Sequence, residues 1–276
     1  MEGIYYYDGR FVSNREAVIP LTDRSVYFGD AVYDACLVHR GRPYLLNAHL
    51  SRFYKGCRTL KIRPPMPKEA LAQLLISICK AAEAEVAFLY FQASRDAETR
   101  RHIAEPTDGS HLLISLTPRT MPMKDKALRL ITCPDRRYDY CNVKTVNLLP
   151  AVLASTKASV ADADEAVFIR KGIVTECAHS NVSILKNGVL FTHPNGRRIL
   201  PGISRKQLIV ACKKLSIPVS ETPFSFKSLM NADEVFVTSS SRLCQRASTV
   251  NGRPVGFRNE NAARCLLDTI FKDFIS

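Results

Sequence analysis

Residues 167–194 read VFIRKGIVTECAHSNVSILKNGVLFTHP. Short β-branched and apolar runs alternate in it with turn residues. The first run breaks at Lys171-Gly172 and the second at Asn187-Gly188. Asn-Gly between two such runs is a strong type I′ hairpin signal, because both central residues of that turn need positive φ. Two hairpins in succession specify antiparallel strands.

Toward the C-terminus, Leu200-Pro201-Gly202-Ile203-Ser204 opens a helix that should run to about Leu215. A last strand, EVFVTS at 234–239, and a terminal helix from about Asn259 close the chain. Toward the N-terminus, a helix is expected over 149–161 and a strand over 128–132. Before them Pro118, Pro122 and the charged stretch at 124–126 interrupt the pattern, which places a boundary there. In the first half, YYYDGRFV at 5–12 reads as strand, Asp8-Gly9 turn and strand. Residues 23–46 suggest two more strands, broken at Gly29 and at 40–43. A helix follows from Asn47, its expected N-cap, with Leu50, Phe53, Tyr54, Cys57 and Leu60 at helical spacing. A second helix is expected over about 67–84, then strands at 86–93 and 111–116. The alternation is too irregular for a doubly wound sheet, so the class is α+β. The expected domains are 1–118, small and N-terminal; a linker at 119–126; and 127–276, large and C-terminal.

With 276 residues, 46% of them hydrophobic, the chain can bury a large core. No apolar run reaches membrane-span length, and the N-terminus lacks the basic-then-apolar pattern of a secretory signal, so a soluble cytoplasmic protein is expected. The nine cysteines form no C-x-x-C pair and sit mostly in apolar stretches, which fits free thiols better than disulfides or zinc; no metal site is expected. The net charge is +13, but the basic doublets lie far apart with no interleaved aromatics. That argues against nucleic acid and leaves a field that draws small anions.

Several residues suit a site better than a core. Lys144 lies in CNVKTVNLLPAVLA, where a lysine must snorkel or be buried as a nucleophilic amine. Glu176 ends a strand at a small, polar loop. Ile203 and Ser204 begin a helix whose free N–H groups suit an anion. Ser239 and Ser240, after Thr238, offer hydroxyls at a strand end. Arg52, in HLSRFY, is drawn toward the interior beside Phe53 and Tyr54, and phosphate is a frequent partner for such an arginine.

In this order, FGDAVYDA, HLSRFY, YFQASR, VKTVNLLPAVLA, VTECAHSN, ILPGISR and FVTSS make the chain resemble the fold-type IV pyridoxal 5′-phosphate enzymes. The resemblance implies a small α/β domain followed by a larger β-barrel-like domain with flanking helices. It implies that Lys144 holds the cofactor as a Schiff base and moves the substrate's α-proton, and that Glu176 keeps the pyridine nitrogen protonated. Arg137 aligns with a ligand of the phenolic oxygen, and Arg52, Ile203, Ser204, Ser239 and Ser240 with the phosphate site. Within the family, YFQASRDAETRRHIAEP resembles the D-amino-acid aminotransferase branch, in which Tyr33, Arg100 and His102 would bind the substrate carboxylate. The last two would come from the second subunit of a homodimer. Transamination between a D-amino acid and a 2-oxo acid is then the expected activity. A branched-chain L-amino-acid aminotransferase, an aminodeoxychorismate lyase and a cofactor-binding protein with a degenerate substrate site are the alternatives. Three features depart from the family: Asp96 replaces a glycine, His179 replaces a serine, and Arg242 and Arg246 occupy a loop that borders the substrate. Either arginine is a candidate for a second substrate carboxylate.

Overall fold

The computed structural model describes residues 3–96, 99–105 and 109–276. Contacts divide the chain into two units. One runs to Met121 and takes back Val143–Asn147; the other holds Pro122–Asn142 and Leu148–Ser276.

The first unit contains β1 (Ile4–Tyr7), β2 (Arg10–Val12), α1 (Arg24–Phe28), β3 (Ala31–His39), β4 (Arg42–Pro43), α2 (Leu46–Leu60), α3 (Lys68–Lys80), β5 (Val86–Arg95) and β6 (Ser110–Pro118). Its sheet has the order β2-β1-β6-β5-β3-β4, and every pairing is antiparallel. Alternation along β5 sends Leu89, Phe91 and Ala93 into a core closed by Phe53 of α2 and by Leu71 and Leu75 of α3. Two expectations change here. The first of the two strands expected within 23–46 is α1: the Asp23 side chain accepts from Ser25 N, and Gly29 ends the helix at φ 60°. Asn47 lies inside α2 rather than capping it, because Leu45 takes the left-handed cap position; the Asn47 side chain accepts from Lys68 Nζ instead.

The second unit contains β7 (Leu128–Pro134), α4 (Leu149–Val160), β8 (Glu165–Arg170), β9 (Ile173–Cys177), β10 (Asn181–Lys186), β11 (Val189–Thr192), α5 (Ile203–Lys214), β12 (Val219–Ser220), β13 (Phe224–Ser225), α6 (Phe226–Met230), β14 (Glu234–Ser239), β15 (Leu243–Val250), β16 (Arg253–Pro254) and α7 (Glu260–Ile275). Both expected hairpins form, with Lys171 and Gly172 at φ 51° and 78°, and Asn187 and Gly188 at 50° and 75°. EVFVTS is not the last strand: β15 and β16 follow it, joined through Asn251-Gly252. The sheet runs β12-β11-β10-β14-β15-β7-β8-β9-β13, with β16 on β15. In that order β9 and β10 are separated by four strands, yet only residues 178–180 join them, and Cys177 N donates to Ser180 O at 2.7 Å. The sheet must therefore curl back on itself, as a half-barrel does. Val174, Val182, Val235, Val237 and Ala247 fill its interior.

Candidate active site

Lys144 is fixed through its backbone to β3. Its carbonyl accepts from Tyr33 N at 2.9 Å, and Thr145 bridges Val32. Val143 sinks into the core of the first unit, and Asn147 Nδ2 donates to Gly29 O at 2.8 Å. A Cβ on Gly29 would lie 2.5 Å from Asn147 Oδ1, at a φ of +60° that disfavours side chains in any case, so glycine is required. The half-buried Lys144 side chain ends against an aromatic surface. Nζ donates to Tyr33 Oη at 3.3 Å and lies 4.4 Å from the centre of the Tyr33 ring, which stacks on Tyr90 at 5.2 Å. Among the described residues a hydroxyl and a π-face, and no carboxylate, hold the amine.

Asp34 is the next residue of β3 and points to the opposite, helix-covered face, where it is wholly buried. Arg52 grips it with Nε at 2.9 Å and Nη2 at 2.8 Å, and His49 Nδ1 lies 2.7 Å from Oδ1. Burial works against the Asp34 charge, but the Arg52 ion pair and the His49 hydrogen bond outweigh it and hold the carboxyl below the usual range. Burial lowers the pKa of His49, which makes the neutral ring, donating from Nδ1, the fitting partner. Asp34 thus sets the direction of the Arg52 guanidinium.

Arg100 and His102 pack on α1. The Arg100 guanidinium lies 5.5 Å from the Tyr27 ring and 5.2 Å from Phe28, and the His102 ring is 5.2 Å from Phe28. Asp96 lies 3.1 Å from His111 Nε2, while His111 Nδ1 faces Asp8 at 2.5 Å. Residues 97, 98 and 106 of the quoted segment lie outside the described residues.

In the second unit Glu176 is buried at the end of β9. It pairs with Arg137 Nη1, while its other oxygen accepts from Asn181 Nδ2 at 2.8 Å and Leu200 N at 2.9 Å. Arg137 is shared. Asp135 takes its Nε at 3.0 Å and its Nη2 at 2.9 Å, and the guanidinium lies 4.5 Å from the centre of the Phe168 ring. Burial raises the Glu176 pKa to about 7, since one guanidinium divided between two carboxylates offsets only part of the desolvation.

Ile203 and Ser204 are buried at the start of α5, which no side chain caps. A Cβ on Gly202 would come within 1.9 Å of Asn181 Oδ1, so any side chain there must displace Asn181. Ser239 ends β14 and meets Ser241 Oγ at 3.2 Å; Ser240 follows, half-buried. Beside them the buried Thr238 Oγ1 has no hydrogen-bond partner among the described residues.

Arg246 is corrected. It is buried against Glu234 through Nε and Nη2, both at 2.9 Å, and pairs with Glu260 as well, so it is a structural ion pair rather than a substrate group. Arg242 donates to the Asp164 carbonyl at 3.2 Å, and His179 pairs with the buried Glu165. Asp34, His49, Asp135 and Asn181 were missed. An acid inside a strand pattern, as in VYDACLV, was the available signal for Asp34, because a buried carboxylate demands a partner.

A model of the "Amino-transferase class IV" family matches residues 31–250. This chain is a class IV aminotransferase. The D-alanine aminotransferase of Listeria monocytogenes serotype 4b (strain F2365) is 34% identical over 239 residues, covering 85% of this chain and 83% of that one. The D-alanine aminotransferase of Bacillus licheniformis is 30% identical over 256 residues, covering 91% and 89%. The branched-chain aminotransferase of Thermoproteus uzoniensis with norvaline superposes with a TM-score of 0.90 at 21% identity, covering 98% and 93%. The branched-chain amino acid aminotransferase of Escherichia coli gives 0.88 at 19%, covering 99% and 95%. These structures share the class IV aminotransferase fold, half-barrel included.

Proposed function

We propose that this aminotransferase uses pyridoxal 5′-phosphate and moves amino groups between a D-amino acid and a 2-oxo acid. The observation that carries the reading is the 34% identity to a D-alanine aminotransferase over most of both chains. The residues present fit the cofactor. An amine held by a hydroxyl and a ring, a buried acid of raised proton affinity, an uncapped helix start and an orphaned Thr238 hydroxyl are each a demand for a partner. Lys144 would hold the cofactor's aldehyde carbon, Glu176 its ring nitrogen and Arg137 its phenolic oxygen. Arg52, Ile203, Ser204, Ser239 and Ser240 would hold the phosphate.

The cofactor, when bound, supplies an electrophilic carbon and an electron sink. The protein supplies the rest. Lys144 Nζ takes the α-proton and returns it, and Tyr33 Oη, 3.3 Å away, steadies the amine between the two transfers. Glu176 holds a proton at the ring nitrogen; Asn181 and Leu200 N fix one of its oxygens and Arg137 the other, which sets the plane of the carboxylate. Arg100 and His102, with Tyr33, orient the substrate carboxylate, and the hand of the substrate follows from which pocket takes that group.

A cytoplasmic homodimer completes the reading. On the first unit Val18, Leu21, Val26 and Ile103 are exposed, and on α4 of the second unit Leu149, Val152 and Leu153 are exposed, as a subunit interface requires. All nine cysteines are unpaired, which suits a reducing compartment. The test is a half-reaction screen with D and L forms of alanine, glutamate and leucine, following conversion of the cofactor's visible spectrum to the amine form. D-amino acids should react faster, by about tenfold or more. Faster reaction of the L forms would move the chain to branched-chain-type L-amino-acid transamination.

A further inference from the structure

Arg24, the first residue of α1, is buried and has no part in the groups assigned above. Nε donates to Asp30 Oδ2 at 2.8 Å, Nη1 to the Arg101 carbonyl at 2.5 Å and Nη2 to the His102 carbonyl at 3.4 Å. Its guanidinium carbon sits 4.6 Å from the centre of the Phe28 ring, the ring that also meets Arg100 and His102, each at 5.2 Å. Asp30 in turn accepts from Arg95 Nε at 3.0 Å, and Arg95 donates to the Leu60 and Lys61 carbonyls, both at 2.7 Å, at the end of α2.

The two loop carbonyls are therefore held by one side chain instead of a strand ladder. Only arginine presents three N–H directions in a rigid fork; a lysine at the same place is a single point charge on a flexible stem. Phe28 adds a common surface. Two cationic groups and an imidazole pack on one ring, so a shift of Arg24 must shift Arg100 and His102 together.

We propose that Arg24, braced by Asp30, is a positioning residue that sets the place from which Arg100 and His102 act on the substrate carboxylate; this rests on the role given to that loop above. Arg24→Lys and Asp30→Asn test it, with two readouts. The first is tryptic cleavage after Arg101 in the folded protein, because the carbonyl that trypsin must polarise is the one Arg24 holds. It needs neither cofactor nor turnover. The second is the division of the kinetic effect between KM and kcat, with cofactor affinity as the control. Both variants should be cut about tenfold faster than wild type, raise KM for the D-amino acid by about tenfold, and leave kcat and cofactor affinity within about threefold. Unchanged cutting and unchanged KM would overturn the role of Arg24, as would equal losses in cofactor affinity, kcat and KM, which mark a merely structural arginine. Faster cutting with unchanged KM would instead overturn the carboxylate role of the loop. If Arg24→Lys does not fold, Asp30→Asn gives the same readings, since it removes the brace and keeps the fork.

Discussion

At the scale of single residues, the site depends on charges that are costly to hold. Glu176 is the clearest case. Folded, it binds its proton more tightly than an unfolded glutamate, whose pKa is about 4. Its contribution to stability is therefore full below about pH 4 and is lost as pH rises toward about 7. Glutamine carries no such cost. Without cofactor, Glu176→Gln should be more stable than wild type at pH 8 by on the order of 1–3 kcal/mol, and the gap should close as pH falls to about 4. With cofactor the same change should slow transamination by about a hundredfold, since the amide cannot keep the ring nitrogen protonated. Urea titrations across pH and single-turnover rates measure the two effects. A stability gap that does not vary with pH would remove the electrostatic argument. Lys144 shows the complementary arrangement: among the described residues its Nζ rests against the hydroxyl and ring of Tyr33 rather than a carboxylate.

At the scale of elements, the start of α5 and the start of β10 are tied at one point. Asn181 donates to Glu176 and to the Leu200 carbonyl while its Oδ1 fills the space where Gly202 has no side chain. A methyl group at Gly202 would push Asn181 away, loosening both the acid and the helix start expected to take phosphate. Gly202→Ala should cost about 1–3 kcal/mol in denaturant titration and weaken cofactor binding. Because the injury passes through one side chain, Asn181→Ala and Gly202→Ala should not add; the double variant should recover part of the stability. Additive losses would show that the glycine serves the backbone alone. Element positions were mostly legible: the two hairpins, α5 and α7 follow from turn and capping residues. The short helix α1 was not, because SVYF is β-prone and only the Asp23 cap and the left-handed Gly29 turn it.

At the scale of the whole molecule, the prediction concerns assembly. The first unit leaves Val18, Leu21, Val26 and Ile103 exposed, and α4 leaves Leu149, Val152 and Leu153 exposed. If the loop of one subunit serves the site of the other, Lys144→Ala and Arg100→Ala are defects of different subunits. Each variant alone should be nearly inactive, and mixing them should restore a fraction of wild-type activity, because one hybrid site has both residues intact. Sedimentation should give a dimer. An active monomer, or mixtures no better than their parts, would end the idea.

What the sequence determined by itself was the α+β class, the antiparallel hairpins of the half-barrel and the candidate lysine and glutamate. These rest on local signals: turn dipeptides, two-residue alternation, a cap before an apolar helix, and a charge inside an apolar run. Tertiary structure alone decided the pairings. Nothing near Asp34 in the chain says that Arg52 and His49 will meet it, nothing near Arg137 says that Glu176 will share it with the neighbouring Asp135, and Arg246 reads equally well as a ligand for substrate until Glu234 and Glu260 are found around it. The physical reason is that a buried charge is stable only with a partner, and a partner roughly 10 to 40 residues away is chosen by strand register and helix packing, which no local run of residues records.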